Sequence, residues 1–90
     1  MAKIGYILED VILPQIGPVR DAKITKWHKR VGSRIDRDEM LFDISNLFVD
    51  AEIPSPYSGE IAEIIVKAGE VALVGAVLAR IKREITIIDA

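Results

Sequence analysis

The chain has 90 residues, of which 50% are hydrophobic and 29% are charged, and its formal net charge is −2. This composition predicts one soluble globular domain over residues 1–90 and gives no support to nucleic-acid binding. The sequence has no cysteine, which excludes disulfides and thiolate sites, and its single histidine excludes a multi-histidine metal site.

Strand formers alternate with turn signals along the chain and predict an all-β protein. The start, MAKIGYILED, contains a possible strand before Val11, and its short apolar run followed by acids is unlike a secretory signal. No apolar run approaches the roughly 20 residues of a membrane span, so we expect a cytoplasmic protein with no membrane partner. The other predicted strands are, in chain order, 11–13, 22–27, 34–35, 41–45, 49–53, 60–66, 72–73 and 77–81.

An internal repeat relates the two halves of the chain. At an offset of 37 residues the first half aligns with the second, with matched pairs Ile24/Ile61, Trp27/Ile64, Val31/Ala68, Gly32/Gly69, Leu41/Leu78 and Ile44/Ile81. The glycine pair predicts two equivalent turns with positive φ. The spacing of Ile24 and Trp27 predicts a bulge, because side chains of a flat strand alternate with period two. Two such halves facing each other predict a flattened β-sandwich with approximate two-fold internal symmetry.

The turn between the predicted strands 41–45 and 49–53 consists of Asn46, Leu47 and Phe48. Hairpin turns usually use Gly, Asn, Asp or Pro, which tolerate the required dihedral angles. Two large apolar side chains are therefore unexpected at this tip. Either they form an exposed anchor for a protein partner, or they fold back onto the strands and close the end of the sandwich.

Other candidate sites are weak. His28 lies in the charged run KWHKRVGSR and is expected to be solvated. The acids Asp36, Asp38 and Glu39 are expected to form a solvated loop rather than a calcium site. No Ser-His-Asp arrangement or phosphate-binding loop is present, so we predict neither a metal site nor catalytic residues.

The chain carries an ordered series of residues: Trp27, Val31, Gly32, Asp38, Leu41, the EIPSP run at 52–56, Gly59, Gly69, Gly75 and Leu78. This series resembles the lipoyl/biotinyl attachment domain, especially the lipoyl domains of dihydrolipoyl acyltransferase components of 2-oxo acid dehydrogenase complexes. The resemblance covers about residues 11–81 and leaves the tails 1–10 and 82–90 outside. It implies a barrel-sandwich hybrid, in agreement with the repeat.

In that family the hairpin joining the halves carries an Asp-Lys pair, and the lysine is amidated by lipoate or, in the sister domains, by biotin. In the family this pair lies at a fixed distance before the EIPSP run. Counting back by that distance from residue 52 places Leu47 at the aspartate position and Phe48 at the lysine position, and Val49 follows. A phenyl ring cannot form the amide, so no lipoate or other cofactor is expected at Phe48. The lysines nearest in sequence, Lys29 and Lys67, do not match the attachment motif.

Two functions remain open at this point, and in neither is the chain itself an enzyme. The first is a non-catalytic interaction or assembly module that contacts a protein through the tip. The second is a lipoyl carrier domain of a 2-oxo acid dehydrogenase acyltransferase component, or of a related acyl-transfer system, whose attachment hairpin has been lost or engineered. The C-terminal segment 82–90 is either an edge strand covering the core or a pairing edge for a partner or for another copy in a homo-oligomer.

Overall fold

The structure is a computed structural model that describes residues 2–88. These residues form two four-stranded antiparallel sheets without a helix, which confirms the all-β prediction. Within this range there is accordingly no helix of the length and hydropathy that a membrane span requires. Met1, Asp89 and Ala90, which belong to the predicted tails, lie outside the described residues.

Eight strands occur in residues 2–88, close to the predicted positions but longer at both ends of the chain. One sheet has the order β1-β8-β6-β3, and the other has the order β5-β4-β2-β7. The strands are β1 (Ala2–Ile12), β2 (Asp21–Trp27), β3 (Arg34–Ile35), β4 (Met40–Ser45), β5 (Asp50–Pro54), β6 (Gly59–Ile64), β7 (Val71–Leu73) and β8 (Val77–Ile88).

The hydrophobic core lies between the two sheets. Along β2, buried Ala22 and Ile24 alternate with exposed residues, as expected when one face of an antiparallel sheet is covered and the other is solvated. The Trp27 and Phe42 rings lie 5.2 Å apart, and the indole N–H donates to the Val66 carbonyl at 2.9 Å. The buried apolar residues are Val11, Leu13, Ala22, Ile24, Ile35, Leu41, Phe42, Ile44, Ile61, Ala72, Leu78, Ala79 and Ile81.

Two reciprocal hydrogen bonds connect the repeated halves. The Gly32 N–H donates to the Ile61 carbonyl at 2.8 Å, and the Gly69 N–H donates to the Ile24 carbonyl at 2.7 Å. At the repeat offset of 37 residues, Gly32 corresponds to Gly69 and Ile61 corresponds to Ile24, so the two bonds are equivalent. Both glycines have positive φ, 91° at Gly32 and 94° at Gly69, which confirms the predicted equivalent turns. Each half therefore supplies the turn that satisfies a backbone carbonyl of the other half.

The predicted bulge is also present, and it is present twice. The strand register shifts between Ile24 and Lys26 in β2 and between Ile61 and Glu63 in β6. These positions are related by the repeat offset. A bulge inserts one extra residue into a strand, so the side chains beyond it switch faces. This explains how Ile24 and Trp27 both pack on the core although they lie three residues apart.

The two tails pair with each other instead of covering the core. β1 and β8 form one antiparallel ladder that begins with Ala2 opposite Ile88. β6 accompanies β8 only as far as Lys82, so residues 2–7 and 83–88 continue as a two-stranded ribbon, which we call the terminal ribbon. It gives the molecule a long axis of 52 Å against widths of 23 and 20 Å. The expectation that the C-terminal segment covers the core is therefore wrong.

Replacing either Gly32 or Gly69 with alanine is expected to lower the free energy of unfolding by about 1–2 kcal/mol, because a side chain disfavours the left-handed backbone. Nothing lies within 4 Å of a Cβ built at either position, so the loss would come from the backbone alone. Urea denaturation of the two variants should give equal losses. Unchanged stability of Gly69→Ala would show that the positive φ imposes no such cost.

Candidate functional site

The β4–β5 hairpin ends in residues 46–49, which form the candidate site. Below the turn, Ser45 and Asp50 are paired in the ladder, and the Ser45 hydroxyl donates to Asp50 Oδ1 at 2.6 Å. The Asn46 N–H donates to the Val49 carbonyl at 3.0 Å and closes the turn. The hairpin therefore presents its tip on a stem held by backbone and side-chain hydrogen bonds.

Asn46 holds the conformation of the turn. Its Oδ1 accepts hydrogen bonds from the Phe48 N–H at 2.8 Å and from the Val49 N–H at 3.0 Å. Its Nδ2 donates to the Ile16 carbonyl at 3.5 Å, which ties the tip to the segment after β1. An asparagine that accepts from the backbone two residues later is a common turn-forming device, so this role of Asn46 was detectable in the sequence.

The two apolar side chains of the tip point into solvent. Leu47 is 95% exposed and Phe48 is 66% exposed, whereas Val49 is partly buried. Neither Leu47 nor Phe48 belongs to the residues packed on the core. The alternative in which both side chains fold back onto the strands is therefore wrong. The arrangement is a small apolar surface on an ordered turn.

Residues 46–49 contain no primary amine, and the lysines nearest to the tip in sequence or in the sheet lie on other elements. Lys23 lies on β2 opposite Ser45, on a strand rather than on the turn. Lys29 Nζ lies 2.8 Å from Glu39 Oε2, and this contact lowers the pKa of the Glu39 carboxyl group. Lys67 precedes the turn at Gly69, where its backbone N–H donates to Glu70 Oε1 at 2.7 Å.

The stem beside the tip is acidic. An open cleft of about 420 Å³ lies along the hairpin, and three carboxylates line it together with Thr25, Ile44, Ser45 and Ala51. The carboxylates belong to Asp43, Asp50 and Glu52. The tip thus combines an apolar end with carboxylates on the stem, where Lys23 and Lys26 of β2 also pair with Ser45 and Asp43.

The minor candidates have structural roles. His28 is not fully solvated: its Nε2 lies 2.6 Å from Asp43 Oδ1, and both side chains are only 25% exposed. Asp38 adopts a φ of 71° at the position that the repeat relates to Gly75, whose φ is 88°, so it is a turn residue. In the part of the chain described here, no three His, Asp or Glu side chains converge in a way that could hold a metal ion.

Most of this sequence matches known proteins. A family model for biotin and lipoyl attachment, described as "Biotin-requiring enzyme", matches residues 9–81. The dihydrolipoyllysine-residue acetyltransferase component of the pyruvate dehydrogenase complex from Corynebacterium glutamicum is 45% identical over 73 residues, and that from Staphylococcus aureus is 40% identical over 70 residues. These matches cover 80% and 77% of this chain but only 11% and 16% of the relatives.

A solved structure agrees with the architecture. The lipoyl domain of the 2-oxoglutarate dehydrogenase complex from Azotobacter vinelandii superposes with a TM-score of 0.66 at 32% identity, covering 80% of this chain and 92% of that one. The expected lipoyl-type sandwich is therefore confirmed. The terminal ribbon lies outside residues 9–81, the range that the family model matches.

Replacing Asn46 with alanine is expected to lower the free energy of unfolding by about 1 kcal/mol, because the Phe48 and Val49 N–H groups lose their side-chain acceptor. Asn46→Asp keeps the acceptor oxygen and serves as the matched control. Urea denaturation gives the stability, and amide hydrogen exchange at residues 48 and 49 should accelerate in Asn46→Ala only. Equal exchange in all three proteins would show that Asn46 does not hold the turn.

Proposed function

This chain belongs to the biotin/lipoyl attachment domain family, and we propose that it is a lipoyl-like domain that carries no cofactor and binds a protein partner through its hairpin tip. The observation that carries the proposal is the exposure of Leu47 and Phe48 on the turn between the halves. The family presents its modified lysine on the corresponding turn. Here an ordered apolar surface stands in its place.

The chemistry of attachment supports the first part of the proposal. Lipoylation forms an amide between a carboxyl group and a primary amine, and the phenyl ring of Phe48 supplies no nucleophile. The scaffold around it is intact, with both glycine turns and a continuous buried core. The missing amine thus lies in a fold that matches the family over residues 9–81.

The geometry of the tip supports the second part. Burying an exposed phenylalanine or leucine side chain contributes roughly 1.5–3 kcal/mol before ordering costs are subtracted. Those costs are small here because the two hydrogen bonds to Asn46 Oδ1 already fix the backbone. Aromatic side chains in this position commonly form the centre of protein interfaces. The acidic stem at Asp43, Asp50 and Glu52 favours a partner whose apolar pocket has a basic rim.

A second candidate is a domain of a 2-oxo acid dehydrogenase acyltransferase component, placed beside other domains that carry the lipoyl lysine. The 45% identity to an acetyltransferase component favours it. Because the chain spans only 11% of that relative, the activity of the whole enzyme comes to this chain as a proposal only. The two candidates are compatible if the tip docks on another part of such an assembly.

Co-expression with a lipoate ligase is expected to leave the intact mass of the chain unchanged, because the tip has no amine. The double variant Leu47→Asp/Phe48→Lys should gain the mass of one lipoyl group, since the scaffold already presents the turn. Measuring the intact mass of both proteins with Lys23→Arg added tests whether Lys23, which lies opposite Ser45, is modified instead. A lipoyl mass on the unaltered chain would contradict the proposal that it carries no cofactor. A double variant that folds but stays unmodified would contradict the assignment of Phe48 to the lysine position.

Phe48→Ser and Leu47→Ser are each expected to weaken binding of a native-host partner by about tenfold or more, the loss that corresponds to 1.4 kcal/mol. Affinity capture followed by titration of the captured protein measures the loss. Val31→Ser is the matched control, because Val31 is 57% exposed and follows the end of β2 that is farther from the tip. Equal affinity of all four proteins would mean that the tip is not the contact surface.

A further inference from the structure

The terminal ribbon exposes apolar side chains on both of its faces. Ile4 and Tyr6 on one face, with Leu8 at the base of the ribbon, are 64%, 58% and 60% exposed. The opposite face carries Ile7 and Ile87, which are also exposed. A two-stranded ribbon is marginally stable in water, and independent stability needs a third strand or a covered face. Within residues 2–88 the ribbon has neither.

The outer edge of β1 is open for strand pairing. β1 is the terminal strand of its sheet and, in the described structure, pairs with β8 alone. Natural edge strands are protected by charges, prolines or bulges. Between Ala2 and Leu8, β1 has Lys3 as its one charged residue and has no proline, and the register shift occurs later, at Val11 and Ile12.

We propose that β1 pairs antiparallel with β1 of a second copy of this chain, around a two-fold axis at Tyr6. In this register Tyr6 faces Tyr6 of the second copy, Ile4 faces its Leu8, and Lys3 faces its Glu9. The two ribbons then form one four-stranded sheet with the order β8-β1-β1-β8. Such a pairing gives each ribbon the additional strands that it lacks.

The charge pattern of β1 identifies a second copy as the occupant of this edge. Side chains alternate between faces, so Ile4, Tyr6 and Leu8 share one face while Lys3 and Glu9 share the other. In the proposed register apolar residues oppose apolar residues, and Lys3 opposes Glu9 at both ends. Glu9 Oε1 already accepts a hydrogen bond from Arg83 Nη2 at 2.9 Å, which positions its carboxylate on that face. A strand complementary to β1 is thus β1 itself, as a two-fold interface requires.

The β1 side chains that face each other in this register are apolar at its centre. Ile4, Tyr6 and Leu8 are each more than half exposed in the single chain, and each lies against an apolar side chain of the second copy in this register. The facing β1 residues are apolar, and the charged residues Lys82 and Glu84 belong to the outer strands, with Lys82 Nζ 4.6 Å from the centroid of the Tyr6 ring. An apolar centre with a polar rim is the usual composition of an interface.

Light scattering on the 90-residue chain as it elutes from a size-exclusion column tests the proposal. The expected mass is twice the 10.0 kDa of one chain, falling to one chain in Tyr6→Lys, because two cations would meet at the axis. The substituted side chain faces Glu84 of its own β8, which offsets the loss of the contact between Lys82 Nζ and the Tyr6 ring. Ile88→Lys makes the same change on β8, away from the pairing edge, and should stay dimeric. A monomeric wild-type chain, or a Tyr6→Lys variant that stays dimeric, overturns the proposal.

A charge exchange tests the register independently. Lys3→Glu and Glu9→Lys should each weaken self-association by about tenfold or more, because like charges then meet at both ends of the strand pair. Mixing the two substituted chains should restore association as a heterodimer, in which opposite charges face each other again at both ends. Sedimentation velocity of the separate and mixed chains measures this. The proposed register is wrong if the singly substituted chains associate as the wild type does. It is also wrong if the mixture fails to associate.

Discussion

The fold depends on the exchange of backbone hydrogen bonds between its two halves. The Gly32 N–H reaches the Ile61 carbonyl, and the Gly69 N–H reaches the Ile24 carbonyl. Ile24 and Ile61 are both buried, so a missing donor would leave a carbonyl unsatisfied away from water. Each turn can reach the other half only with positive φ, which explains why glycine occupies both positions. Neither half can complete its sheet without the other.

This constraint separates the scaffold from the hairpin tip. The reciprocal bonds, the paired bulges and all of the buried core except Val11 and Leu13 lie in residues 22–44 and 59–81, whereas residues 46–49 lie in the turn between the two halves. Leu47 and Phe48 contribute nothing to the buried core. The side chains at positions 47 and 48 can therefore differ without altering the contacts of the core. What the tip must keep is a closed turn, and Asn46 supplies it.

Much of the architecture was predictable because the internal repeat can be recognised from the sequence alone. The offset of 37 residues, the glycine pair and the three-residue spacing of Ile24 and Trp27 predicted the turns, the bulges and the facing halves. The course of the tails was not predictable, since alternating isoleucines at 85 and 87 indicate a strand but not its neighbour. The contact of His28 with Asp43 was missed because it joins neighbouring strands across a bulge, where counting residues does not give the register.

The two unusual surfaces lie at opposite ends of the molecule. Asn46 at the tip reaches Ile16, just after β1 ends, whereas β1 begins at Ala2 in the terminal ribbon. Arg83, the first β8 residue of the ribbon, stands over the Tyr57 ring beyond the far end of β5. Pairing of two copies through β1 would therefore direct their tips away from each other. Such a pair could bridge two binding sites on an assembly but could not place both tips in neighbouring pockets, because linked sites cooperate only when the linkage spans the distance between them.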